Sequence, residues 1–243
     1  MNLYIALTNS SINKTDHLGL TPYETKWPVS GRIADGSIIQ WNYQYSASLS
    51  GDTKDRAKCK LTYTATIQLI IHGDTNLGQI VFMTLGSWRN AISEAMNNWK
   101  LVSTDNACRC CSEIDIEFRV KFVGINNRGE NVQINNKDYT VNIFPTADRS
   151  NMENWYFGDP SLSNNPYSTV VHEIGHIWGL KDEYLDGTFY PEKTVEDLPP
   201  NYDNSIMNDE SKSFLPRYIN EILYQIDNVQ QHLPCASYEL RMK

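Results

Sequence analysis

The sequence predicts an α+β fold, and three observations support that expectation. Two segments alternate apolar and polar residues with the period of a half-buried strand. Three others repeat apolar residues at helical spacing, and a stretch from 185 to 212, rich in proline, aspartate and asparagine, has neither pattern. The expected architecture is a twisted mixed β-sheet with two helices in an N-terminal lobe, then an irregular C-terminal lobe with one long helix.

Residues 1–58 are polar and turn-rich. "HLGLTPYETKWPVSG" and "SASLSGDTKDRAK" read as loops, with "SIIQWNYQY" between them as a strand or hairpin arm. This part is expected to be an N-terminal extension or small lobe, ahead of a main domain over 59–243 whose lobes divide near residue 180. In "LTYTATIQLII", Leu61, Tyr63, Ala65, Ile67, Leu69 and Ile71 share one face, as in a half-buried strand. "SWRNAISEAMNNWK" places Trp88, Ala91, Ile92, Ala95, Met96 and Trp99 at helical spacing, with Ser87 as N-cap. "SEIDIEFRVKFVG" is a second strand, Ile114, Ile116, Phe118, Val120 and Phe122 facing in and Glu113, Asp115, Glu117, Arg119 and Lys121 facing out. "NNRGEN" is turn chemistry, and "VQI" with "YTVNIFP" gives one or two further strands. A loop over about 145–167 then leads to the second helix. The last element is a helix over 213–233 with a stripe of Phe214, Leu215, Tyr218, Ile219, Ile222, Leu223, Ile226 and Val229, and Pro216 in its first turn.

Composition narrows the functions. At 243 residues and 40% hydrophobic the chain can bury a substantial core, and a net charge of −8 argues against a general binder of nucleic acid or anionic membrane. No run reaches the roughly 20 apolar residues of a membrane span, and the first residues lack a basic leader or a signal-peptide cleavage site. The expectation is a cytoplasmic protein or one that leaves by a route without a cleaved leader. Five cysteines are present, Cys59, Cys108, Cys110, Cys111 and Cys235. Disulfides within the "ACRCC" cluster and to the outlying cysteines lead over free thiols and a metal clip, because structural zinc sites use paired spacings absent here. An odd count leaves at least one thiol over.

The chemistry concentrates in "TVVHEIGHIWGLKDEY". Residues four apart on a helix are rotated by about 40° and rise about 6 Å, so His172 and His176 project from one face and can share one ion. Glu173, about 100° round the helix, is poorly placed as a ligand; it suits a general base acting on water at the ion's open position. Val170, Val171, Ile174, Ile177 and Trp178 supply an apolar face. Gly179 ends the helix where glycine turns cheaply into the left-handed conformation, and that turn would swing Asp182 back toward the ion. Glu183 and Asp186 are rival third ligands, as are Glu192 and Glu196. His17, His72 and His232 have no partner at metal spacing and read as incidental polar residues.

"HEIGHIWGLKD" resembles the extended pattern of the metzincin zinc endopeptidases, in the snapalysin-like variant that ends in aspartate. The resemblance spans roughly residues 61–233 and does not reach residues 1–58. It implies one catalytic Zn2+ held by His172, His176 and Asp182, with Glu173 as catalytic base and a metzincin-like zincin fold whose active-site helix carries the motif. It also implies a methionine turn beneath the metal, for which Met207 in "NSIMND" is the match. Several metzincins place a tyrosine two residues after that methionine; here position 209 is aspartate, so Tyr184 and Tyr202 are the candidate oxyanion stabilisers. An aspartate ligand gives the site one positive charge less than three histidines would, making bound water somewhat less acidic.

The leading expectation is a zinc metalloendopeptidase acting on polypeptides. Its rivals are a zinc-holding module that docks to a partner, and a zinc amidase acting on cell-wall peptides. The short polar preface without a leader looks like bacterial metallopeptidase toxin or effector domains. That implies action outside the producing cytoplasm and a proteinaceous inhibitor or immunity partner; an ordinary secreted protease is the alternative.

Overall fold

The computed structural model describes residues 22–32, 38–51, 57–108, 110–148, 150–158, 166–180, 183, 202–207, 213–225, 235 and 237–243. The elements are β1 (Pro22–Arg32), β2 (Ile38–Gly51), β3 (Lys58–Ile71), α1 (Thr75–Met96), β4 (Trp99–Ser103), β5 (Glu113–Val123), β6 (Tyr139–Phe144), β7 (Asn154–Tyr156), α2 (Pro166–Ile177), a 3-10 turn (Tyr202–Asn204), α3 (Pro216–Gln225) and β8 (Tyr238–Met242). This is an α+β chain, mostly one sheet with few helices. No helix among the described residues is long and apolar enough to cross a membrane.

The sheet runs β1-β2-β3-β5-β4-β8, with β6 joined to β3 and β7 to β6. It is mixed, as the sequence predicts: β3 is parallel to β5 and β6 but antiparallel to β2. β2 pairs with β3 over Cys59–Thr64, and β6 takes up the same side of β3 from Ile67 to Ile71. The two strands therefore lie end to end along β3.

Both predicted alternations hold. Leu61, Tyr63, Ala65, Ile67, Leu69 and Ile71 are buried on β3, and Ile114, Ile116, Phe118, Val120 and Phe122 on β5. Tyr139–Phe144 forms a strand as expected, whereas "VQI" contributes no strand beyond the isolated Ile125–Asn131 bridge just before it. The two segments read as loops are corrected: residues 22–32 and 46–51 are strand. β1 is an outer strand satisfied by hairpin pairing with β2, so its two prolines, Pro22 and Pro28, are tolerated; with Gly31 they disguise as a loop a segment in which Tyr23, Thr25, Trp27 and Val29 alternate.

α1 also starts earlier than predicted. Asp74, not Ser87, is its N-cap, accepting from the Leu77 N–H at 2.9 Å. The buried stripe is Leu77, Val81, Leu85, Trp88, Ile92 and Met96. Gly78 and Gly86 disguised its first turns, since glycine weakens a helical reading. Gly78 is there for closeness: a Cβ would be driven into the backbone of Gly129. Trp99, expected on this helix, instead opens β4. Asn97 makes the junction by accepting from the Phe118 N–H at 2.6 Å and donating to its carbonyl at 3.3 Å, as a neighbouring strand would.

The loop expected before the second helix contains β7, three residues centred on the fully buried Trp155. α3 begins at Pro216, three residues after the predicted start at 213, and buries Tyr218, Ile219 and Ile222, with Phe214 buried just ahead of it; residues 226–233 of the predicted helix lie outside the described ones. β8, which the sequence reading passed over although Tyr238, Leu240 and Met242 alternate with Glu239 and Arg241, pairs antiparallel with β4. Cysteines reinforce this return of the chain: Cys59 is bonded to Cys111 and Cys108 to Cys235, with Cys110 the thiol left over.

Candidate active site

α2 is buried on every side from Thr169 to Ile177, so its polar residues need partners. His172 is 5% exposed, Glu173 4% and His176 7%. Neither histidine is a solvated surface residue. His172 donates from Nδ1 to the Ile206 carbonyl at 2.8 Å, and His176 from Nδ1 to the Leu180 carbonyl, also at 2.8 Å. A carbonyl only accepts, so each ring carries a proton on Nδ1, which leaves Nε2 as the ligating nitrogen of the neutral imidazole. The rings lie nearly perpendicular, centroids 4.9 Å apart. A backbone acceptor on the second nitrogen of each ring is the arrangement that fixes orientation and basicity in metal-ligating histidines. The pair fits a zinc ion.

The helix ends as predicted. Gly179 has φ 91°, its N–H bonds the His176 carbonyl at 2.9 Å, and the Leu180 N–H bonds the Gly175 carbonyl at 3.0 Å. Those two bonds make a Schellman cap, with Leu180 buried where the cap's apolar contact belongs. The cap also serves the site, because the Leu180 carbonyl it places is the one that orients His176.

Met207 lies under the helix. It is fully buried, and a Cβ on Gly175 would come 2.7 Å from its sulfur. Gly175, between the histidines, thus admits the methionine that the sequence singled out. Residues Ser205–Met207 form a turn whose middle carbonyl, Ile206, holds His172.

Asp182, Tyr184, Asp186, Glu192 and Glu196 lie outside the described residues, and of Tyr202 the backbone alone is described, opening the 3-10 turn. Among the described residues no group of three His, Cys, Asp or Glu is gathered to hold a metal ion. Glu183, a rival ligand in sequence, is committed elsewhere: Arg217 and the Tyr218 hydroxyl both donate to its carboxylate.

Comparison of the chain with family models, curated proteins and solved structures gave no match.

One residue near the site escaped the sequence reading. Tyr139, first residue of β6, is held as a neutral phenol by burial and by the charges of Glu153 and Glu173. Its sequence position, 34 residues before Glu173, gave no hint; β6 slotting beside β3 beyond the end of β2 brings it within electrostatic reach. His72, read as incidental, stacks on Phe144 at 4.6 Å and hydrogen-bonds Asn142.

Proposed function

We propose that the protein is a zinc-dependent metalloendopeptidase with a metzincin-like site. The observation that supports this best is the pair of buried imidazoles in α2, each anchored through Nδ1 to a backbone carbonyl, with Glu173 between them and Met207 beneath. Burying two histidines and a carboxylate within five residues of one helix is costly unless they share a task. His172, His176 and Asp182 would hold the ion, which when bound supplies Lewis-acid polarisation of the scissile carbonyl and lowers the pKa of water. Glu173 takes the proton from the attacking water and hands it to the departing amine, so one carboxylate serves both halves of the reaction. The neutral phenol of Tyr139 is a donor of the kind that stabilises developing negative charge, beside Tyr184 and Tyr202. The two disulfides suit an oxidising destination outside the producing cytoplasm, where unfolded polypeptides would be substrates and a proteinaceous inhibitor a natural partner.

The test is cleavage of an unstructured protein substrate with and without a chelator. Cleavage that stops on chelation and returns with zinc is expected; cleavage indifferent to chelator would overturn the reading. For the third ligand, Asp182→Ala is expected to lower zinc affinity by at least about 10-fold, read by metal analysis after dialysis. Zinc content equal to the parent's would remove Asp182 from the ligand set.

A further inference from the structure

We propose that the buried cluster of Arg217, Glu183, Tyr218 and Ser205 is a positioning device for the His172 imidazole, acting through the 205–207 turn; this rests on the zinc-hydrolase reading above. Glu183 is 4% exposed, Tyr218 1% and Ser205 0%, while Arg217 is half-buried and closes the cluster toward solvent. The Glu183 carboxylate accepts from Arg217 Nε at 3.2 Å and Nη2, and from the Tyr218 hydroxyl at 2.7 Å. Because Tyr218 gives its proton to Glu183, the Ser205 hydroxyl must donate to the Tyr218 oxygen. The Ser205 oxygen is then the acceptor for the Met207 N–H, at 3.1 Å. One consistent direction therefore runs from Met207 N–H through Ser205 and Tyr218 to the carboxylate, where Arg217 balances the charge.

The circuit closes on itself, since the Glu183 N–H donates to the Met207 carbonyl at 2.9 Å. Inside it sits Ile206. Its N–H donates to the Ser213 carbonyl at 2.9 Å, and its own carbonyl accepts from His172. The peptide that orients His172 is thus flanked by Ser205, held through its hydroxyl, and by Met207, held at both its N–H and its carbonyl. A buried ion pair adds little net stability compared with apolar packing, whereas a directional, fully satisfied network fixes a single geometry. Burial, and the charge of Glu183, keep Tyr218 protonated and so keep the network's direction. Glu183 is in this reading a positioning residue, not a ligand, although it follows Asp182 directly in sequence.

The experiment compares full-length disulfide-bonded parent, Tyr218→Phe and Ser205→Ala. Each is measured for its zinc dissociation constant by chelator competition, for the visible spectrum of the cobalt(II)-substituted protein at saturating cobalt, and for its metal-free thermal midpoint. Phe keeps the ring that packs on Phe214 at 5.2 Å and removes only the hydroxyl. Expected are zinc binding about 10-fold weaker in both variants and cobalt bands displaced from the parent's. Variants that melt earlier yet keep the parent's zinc constant and cobalt spectrum would show a cluster that merely supports the fold, and would overturn the proposal. If Tyr218→Phe does not fold, Ser205→Ala, at the other end of the chain of hydrogen bonds, decides alone. A parent that binds no zinc would overturn the zinc reading itself, a failure visible before any variant is made.

Discussion

Glu173→Gln is expected to lower peptide hydrolysis by about 10²–10⁴-fold while zinc stays bound, because the substitution keeps shape and removes the one group on α2 able to accept a proton from water. Glu173 sits between His172 and His176 in sequence and is 4% exposed, so solvent cannot easily replace its function. It lies about 100° round the helix from its histidine neighbour, which separates base from ligand. The two measurements must therefore part company: turnover collapses, metal content does not. A variant that cleaves like the parent would end the general-base assignment. One that also lost its zinc would make Glu173 a ligand and would require a different reaction scheme.

The largest effect on stability is expected from Trp178→Ala, about 3–5 kcal/mol in denaturant unfolding. Trp178 is fully buried at the last turn of α2. Its ring meets Tyr45 of β2 at 5.2 Å, Phe118 of β5 at 5.4 Å and Tyr63 of β3 at 6.5 Å, all three edge to face. It is the bolt that fixes the motif helix to three adjacent strands. The backbone N–H of the same residue bonds the Ile174 carbonyl at 3.1 Å, two residues before His176, so loosening the ring also loosens the helix around that imidazole. A loss below about 1 kcal/mol would mean that the helix is anchored elsewhere.

How much of this was legible in the sequence depends on whether a residue's role is local. The alternations of β3 and β5 were plain because one face of each strand is buried. The end of α2 was plain too, since a glycine cap is written in adjacent residues, and Pro216, read as a first-turn residue, proves to be the first residue of α3. β1 and β8 were missed although both alternate: Pro22, Pro28 and Gly31 give the first the composition of a loop, and the second is only five residues long. α1 was shortened by a glycine whose purpose, contact with Gly129, lies some fifty positions away. Within the candidate site, His172, Glu173 and His176 were read from their spacing and Met207 from the resemblance alone. Their holders were not: Ile206 and Leu180 act through carbonyls, which every residue has, so identity carries no signal. Glu183 was weighed as a ligand because its commitment to Arg217 and Tyr218 appears only when α3 folds back over the turn.

The two disulfides have a topological consequence. Cys59 is joined to Cys111 and Cys108 to Cys235, so the two bridged loops overlap in sequence. A single break in the backbone at any point between Cys59 and Cys235 leaves fragments still tied by at least one sulfur bridge. For a protein proposed to sever peptide bonds, damage by a sister molecule would therefore not shed a piece, and a nicked copy would keep its sheet and its motif helix in one covalent body until a reductant reached it.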